Sequence, residues 1–290
     1  MESKRLFLEE FAVEFDLNRI KHLALPEKFK LVNHIRLIYS EARALEQKRI
    51  KDLASSPNYT VNRTYNLFAM LLMHDVPGQY IHEIVRNYAH NFEKSDTYYA
   101  QITILGMGVM MIQKGYAPEA ILSYLMHLLG DEFLVENLKY SGRMTDDEAS
   151  HFEFDRQIVF KPFEGNLRRV KYNLLGLLKL RDTQGMEAVR RVVNGRHSDN
   201  RFRLYFNQMD LADEHVREVI FEDLKDEGPT ENRLKIYGAY ALHAGLDVFT
   251  THYLFNSIIG KYSRFDKDSS EIEAELSQQL EEILEKAEIK

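Results

Sequence analysis

The run Tyr65–Asn87, YNLFAMLLMHDVPGQYIHEIVRN, is echoed by Tyr172–Asn194, YNLLGLLKLRDTQGMEAVRRVVN. At a constant offset of 107 residues the matches are Tyr65/Tyr172, Asn66/Asn173, Leu67/Leu174, Leu71/Leu178, Asp75/Asp182, Gly78/Gly185, Val85/Val192 and Asn87/Asn194. A second echo, at an offset of 130, sets Gly108, Gly115 and Gly130 on Gly238, Gly245 and Gly260. Self-similarity of this kind is the mark of stacked helical units, because one unit alone cannot bury its apolar face. It predicts an all-α fold of stacked helical hairpins, solenoid-like, in two related halves.

The turns follow from the same stretches. Apolar residues at helical spacing run up to Gly78, Gly115, Gly185 and Gly245, and a second helical run follows each. Glycine accepts the left-handed conformation that closes a helix C-terminus, so each of the four segments is expected to be a helix–turn–helix junction. Asp16 is placed to cap a short helix reaching His22, and Pro26 stands near the start of a long helix carrying Leu31, Ile35, Ile38, Ala42 and Leu45. A first helix is expected over Leu6–Phe15. The expected organisation is N-terminal helices over 1–59, a first hairpin half over 60–130, a connector over 131–166, a second half over 167–262 and an acidic amphipathic helix over 263–290. Within the connector, Thr145–Glu148 forms a capping box and Arg156–Lys161 is expected to be extended. In the last helix Ile272, Leu276, Leu280, Ile283 and Ala287 share one stripe, which suits self-association.

Cysteine is absent, which removes disulfides and thiolate chemistry and fits a reducing, cytoplasmic setting. The N-terminus has no unbroken apolar core of a secretory signal. The most apolar run, Ile102–Ile112, stops at eleven residues, short of the ~20 that a membrane-spanning helix needs. A soluble protein without a membrane span is therefore expected.

Charge is unevenly spread. The chain carries a net −7, yet 161–203 holds eleven basic and four acidic residues while 266–290 holds nine acidic and three basic. Arg168, Arg169, Lys171, Arg190, Arg191, Arg196, Arg201 and Arg203 are the candidate contact residues for a protein partner that presents an acidic segment. With Phe163, Tyr172, Phe202, Tyr205 and Phe206 interleaved, the same stretch offers the alternative of nucleic acid or another phosphate ligand, with guanidinium on phosphate and aromatic on base. The net negative charge opposes long-range attraction to nucleic acid.

One motif points to catalysis. The apolar run Ala69–Met73 ends in His74-Asp75, and this resembles the central motif of HD-domain metal-dependent phosphohydrolases. The resemblance implies an enzyme that uses His34 as the upstream histidine together with His74 and Asp75. Gly78, however, lies three residues after Asp75 where the family has its glycine two after, and the internal copy Arg181-Asp182 lacks the histidine. Asp75 and Asp182 then become turn residues that bond backbone amides. Glu148-x-x-His151 has the spacing of di-iron carboxylate bundles but no second copy, and no phosphate-binding glycine loop is present. The primary expectation is a noncatalytic helical scaffold or adaptor that needs no cofactor.

Overall fold

A computed structural model describes residues 14–47, 63–92, 94–131, 133, 165–195 and 199–260, with Ala274, Ser277, Gln278, Glu281, Glu282, Leu284 and Glu285 beyond them. Among these residues the fold is all-helical: twelve helices and no strand. The chain divides into two compact units, Met1–Val159 and Phe160–Lys290.

Unit 1 holds α1 (Leu17–Lys21), α2 (Leu25–Gln47), α3 (Arg63–Met73), α4 (Gly78–Asn91), α5 (Asp96–Gln113) and α6 (Pro118–His127). Asp16 caps α1 as its side chain accepts from the Asn18 amide at 3.2 Å, and Pro26 sits in the first turn of α2. α5 is the centre of the unit. It is buried without a break from Tyr99 to Met111, the pattern of a helix that is apolar all round. α2, α3, α4 and α6 pack around it. Two glycines let them approach closely. A Cβ at Gly106 would lie 2.3 Å from Val85 Cγ2 on α4, and one at Gly108 would lie 2.7 Å from Ile38 Cγ2 on α2.

Unit 2 holds α7 (Gly165–Gln184), α8 (Met186–Val193), α9 (Asn200–Asp210), α10 (Glu214–Leu224), α11 (Thr230–His243) and α12 (Val248–Ile259). Here α11 is central, with α7, α9, α10 and α12 packed on it. Gly238, in the middle of α11, meets α7: its Cβ would lie 2.9 Å from Leu174 Cδ2.

All four predicted junctions are helix–turn–helix, at 73–78, 113–118, 184–186 and 243–248. Gly115 and Gly245 take φ of +68° and +72°, each just past a helix end, and α6 and α12 begin 130 residues apart. Gly130 and Gly260 are also left-handed.

The other echo needs correcting. Gly185 is left-handed, but Gly78 is simply the first residue of α4, and Asp75, at φ +52°, makes the left-handed turn. Asp182 is no turn residue either; it lies inside α7 and pairs with Arg181 at 2.6 Å. The 107-residue match also sets α7 on α3. By packing, α7 receives the glycine of the central helix as α2 does in unit 1.

The expected helix over Leu6–Phe15, up to residue 13, lies outside the described residues. So do the Thr145–Glu148 box, the Arg156–Lys161 stretch, Glu148, His151 and the apolar stripe of the C-terminal helix. That C-terminal segment is helical at each position described within it. Among the described residues no helix is long and apolar enough to cross a membrane.

Candidate functional site

The basic stretch of unit 2 spreads over α7, α8 and α9, and at least five of the nine basic residues described in it are bonded within the fold. Lys171 leaves the candidate set. It faces α12 beside Tyr172, 0% exposed, and its ammonium donates to Asn256 Oδ1 at 2.6 Å. It falls on the core stripe that continues through Leu174, Leu175 and Leu178, so no partner can reach it.

Arg190 is committed as well. Its guanidinium holds Asp210 at the end of α9 through two bonds of 2.9 Å, the planar fork geometry that suits a carboxylate. The Arg190 bond is the main reason that the Asp210 carboxyl is held below the usual carboxylate range. Arg203 donates to the Gly195 carbonyl at 3.3 Å, and Arg201 to Asn232 Oδ1 at 2.8 Å. Arg196 lies outside the described residues. Arg168 is exposed and leans over the Tyr172 ring at 5.8 Å. Arg169 and Arg191 are exposed and make no ion pair or hydrogen bond among the described residues.

Three further arginines show where the sequence reading stopped short. Helix C-termini leave carbonyls without intrahelical donors, and a guanidinium satisfies several at once. Arg181 on α7 donates to Ala241, Leu242 and Leu246 across the end of α11, at 3.1, 3.2 and 2.7 Å. Arg217 on α10 donates to Met209 and Ala212 at the end of α9 and to His243 at the end of α11. Arg233 bonds the Lys225 carbonyl that ends α10. The acceptors lie 5 to 65 residues from their donors, so no local pattern marks them.

A second network ties α9 to α11. Lys235, nearly buried, donates to Glu231 at 2.6 Å and to Asp199 at 2.9 Å, and Asn166 reaches the other oxygen of Glu231. Burial pushes Asp199 up, but the Phe202 amide it caps and the Lys235 ammonium outweigh that and hold it below its ordinary value. Glu231 is lowered chiefly by the bond from Lys235.

His243 closes α11 against this framework. Its ring packs on Phe206 at 4.6 Å, and Nε2 lies 3.2 Å from the Phe206 carbonyl, which can only accept, so the neutral ring donates there. Burial lowers its pKa from 6.5 to about 4, against the pull of Asp210 at 3.7 Å. On acidification below 6.5 the unfolded chain takes up a proton that the folded ring refuses, so stability falls as pH drops towards 4. Between pH 7 and pH 5 this group alone removes about 2 kcal/mol. His243→Gln is expected to abolish that part of the dependence, which urea unfolding at the two pH values measures. Asp210, Asp199 and Glu231 add a further loss at more acidic pH, as pH falls through their lowered folded values.

The alternative readings find less here. His34 is buried within α2, whereas His74 and Asp75 are exposed in the turn after α3. The three do not form a group that could hold a metal ion, nor do any other three His, Asp or Glu among the described residues. Of the aromatics set against nucleic acid, Tyr172, Phe202 and Phe206 are core residues and cannot stack on bases. Phe163 lies outside the described residues.

Apolar exposure is concentrated elsewhere in the unit. Of six exposed large hydrophobic side chains described, Leu204, Leu211, Val216 and Val219 fall within sixteen residues on α9, α10 and the turn between them. No family model, curated protein or solved structure matches this chain.

Proposed function

We propose that the chain is a noncatalytic, cytoplasmic scaffold of helical-repeat type that binds another protein through the outside of unit 2, with Arg168, Arg169 and Arg191 receiving an acidic segment. What supports this reading is the contrast among the arginines. Arg181, Arg190, Arg217 and Arg233 are spent on carbonyls and carboxylates of the fold, while Arg169 and Arg191 stand exposed and uncommitted. An exposed guanidinium without a partner is well suited to meet a carboxylate from outside, and arginine is favoured at interface centres. The acidic C-terminal segment of a neighbouring copy is one source of such carboxylates.

Crosslinking pull-down from the native cell, with wild type beside Arg169→Glu/Arg191→Glu, tests the reading. The double variant should melt as wild type does, because exposed substitutions shift stability little. It should lose the partners that wild type retains. Recovery of the same partners at the same yield would overturn the proposal. Binding of DNA or RNA by wild type at ~50 mM salt, lost in the variant, would replace it with a nucleic-acid role.

A further inference from the structure

Unit 1 carries a surface that the packing of α2 leaves open. The buried residues Leu31, His34, Ile35, Ile38 and Ala42 share one side of this helix. At about 100° per residue, Leu25, Phe29, Asn33, Arg36, Ser40 and Arg43 fall within an arc of about 80° on the other side. Exposure follows the same arc. Leu25 is 51% and Phe29 48% exposed, although the Phe29 ring also meets Phe133 edge-on at 5.3 Å. Ser40 and Arg43 are exposed as well. Arg43 leans over the Tyr39 ring at 5.8 Å and makes no ion pair or hydrogen bond among the described residues.

The face is therefore apolar at its N-terminal end and basic at its C-terminal end. α2 brings no carboxylate to it, since Glu27, Glu41 and Glu46 occupy positions at least about 100° from the middle of the arc. Glu27 pairs with Lys30 at 3.1 Å, and Glu41 is buried. A basic partner would be repelled, and a purely apolar one would strip water from Arg43 and return nothing. The fitting occupant has aliphatic groups in line with carboxylates beside them.

One segment of this chain has that character. In 269–290 the residues Ile272, Leu276, Leu280, Ile283 and Ala287 fall, at helical spacing, within an arc as narrow as that on α2. Glu275 and Glu282 border this stripe on one side and Glu273 on the other. Further glutamates run along the whole segment, so carboxylates come within reach of the arginines wherever the aliphatic groups meet Leu25 and Phe29. Its 22 residues would span about 33 Å as a helix, against about 27 Å from Leu25 to Arg43.

Beyond the scaffold reading and independently of its arginines, we propose that the open face of α2 receives the C-terminal segment, residues 269–290, of a second copy of this chain. Aliphatic side chains of the stripe cover Leu25 and Phe29, and glutamates beside it meet Arg36 and Arg43. Such seating uses i, i+3 and i+4 anchors, with charge setting the choice of partner. The two surfaces differ, so the contact is heterologous: each copy gives a segment and receives one.

Sedimentation equilibrium of the full-length chain tests this. Wild type should associate as concentration rises, and more weakly as salt rises. Leu25→Ser/Phe29→Ser should weaken association about tenfold, with melting as the check on its fold. Arg43→Glu, confined to an exposed position, should weaken it as well. Leu276→Ser/Leu280→Ser should do the same from the other surface. An equimolar mixture of the two serine variants should associate more tightly than either alone, because one then offers an intact face and the other an intact segment. Arg169→Glu/Arg191→Glu should behave as wild type. A wild type that is monomeric at every concentration would overturn the proposal, as would full association in both the Leu25→Ser/Phe29→Ser and Arg43→Glu chains. A mixture no tighter than its components would overturn it too, since the segments would then pair with each other. Loss of association in the Arg169→Glu/Arg191→Glu chain would move the segment to the arginines of unit 2 and equally end it.

Discussion

Gly106→Ala is expected to lower the stability of unit 1 by about 2 kcal/mol, although alanine is the better helix former. The new methyl carbon would lie 2.3, 2.8 and 3.2 Å from Val85 Cγ2, Cγ1 and Cβ. Rotating Val85 cannot relieve this, because its Cβ is itself too near and a β-branched side chain in a helix has one preferred rotamer. Val85 is fully buried, so it has no solvent to retreat into. The remaining escape is to push α4 from α5, the most extensively packed pair of the unit. Overpacking of this kind costs roughly 3 kcal/mol, against about 1 gained in helix propensity. Gly115→Ala is the control. Nothing lies within 4 Å of its Cβ, and only the strain of φ +68° is added, about 1 kcal/mol. Urea unfolding of the two variants and of Gly106→Ala/Val85→Ala decides the matter. The double variant should show a favourable coupling, and a neutral or stabilising Gly106→Ala would refute the close-approach account.

Glycine spacing in the sequence located these helix junctions well but said less about partnership. Periodic apolar runs stopping at a glycine are a local signal, and the four junctions and the Asp16 cap are all local structures. Which helix a junction packs against is not local. The shared Tyr-Asn-Leu at 65 and 172 aligned α7 with α3, while the close contacts at Gly108 and Gly238 align α7 with α2. The left-handed residue at the first junction was likewise misplaced. Aspartate tolerates that conformation, and Pro77, which no helix interior accepts, holds Gly78 at the helix start.

Charge counting failed for a related reason. A basic stretch looks alike whether its guanidiniums face water or the ends of helices that arrive 60 residues later, as Arg181 does. Lys171 was a different kind of miss. It precedes Leu174, Leu175 and Leu178 by three, four and seven residues, so helical spacing already placed it among core positions.

Removal of the Lys171 acceptor should be the costliest polar change in unit 2. Asn256→Leu is expected to lose about 3 kcal/mol, because it strips a hydrogen bond from an ammonium with no water at hand. Lys171, Asn256 and His252 are each 0% exposed. Asn256 bridges the other two, accepting from Lys171 at 2.6 Å while its Nδ2 lies 3.0 Å from His252 Nε2. The amide nitrogen can only donate, so that ring nitrogen accepts and His252 is neutral with its proton on Nδ1. Leucine has the branching and heavy-atom count of asparagine but is bulkier, and comparison with the same change made in the Lys171→Met background cancels that packing cost and leaves the electrostatic loss. Lys171→Met removes the cation along with its need for an acceptor and should cost only about 1 kcal/mol. The pair of changes together should then cost less than their sum by more than 1 kcal/mol, the coupling expected of residues in one buried network. Thermal and urea unfolding of the four proteins complete the cycle. Additive losses would mean that Asn256 does not hold Lys171, and that the ammonium is satisfied by other groups packed around it.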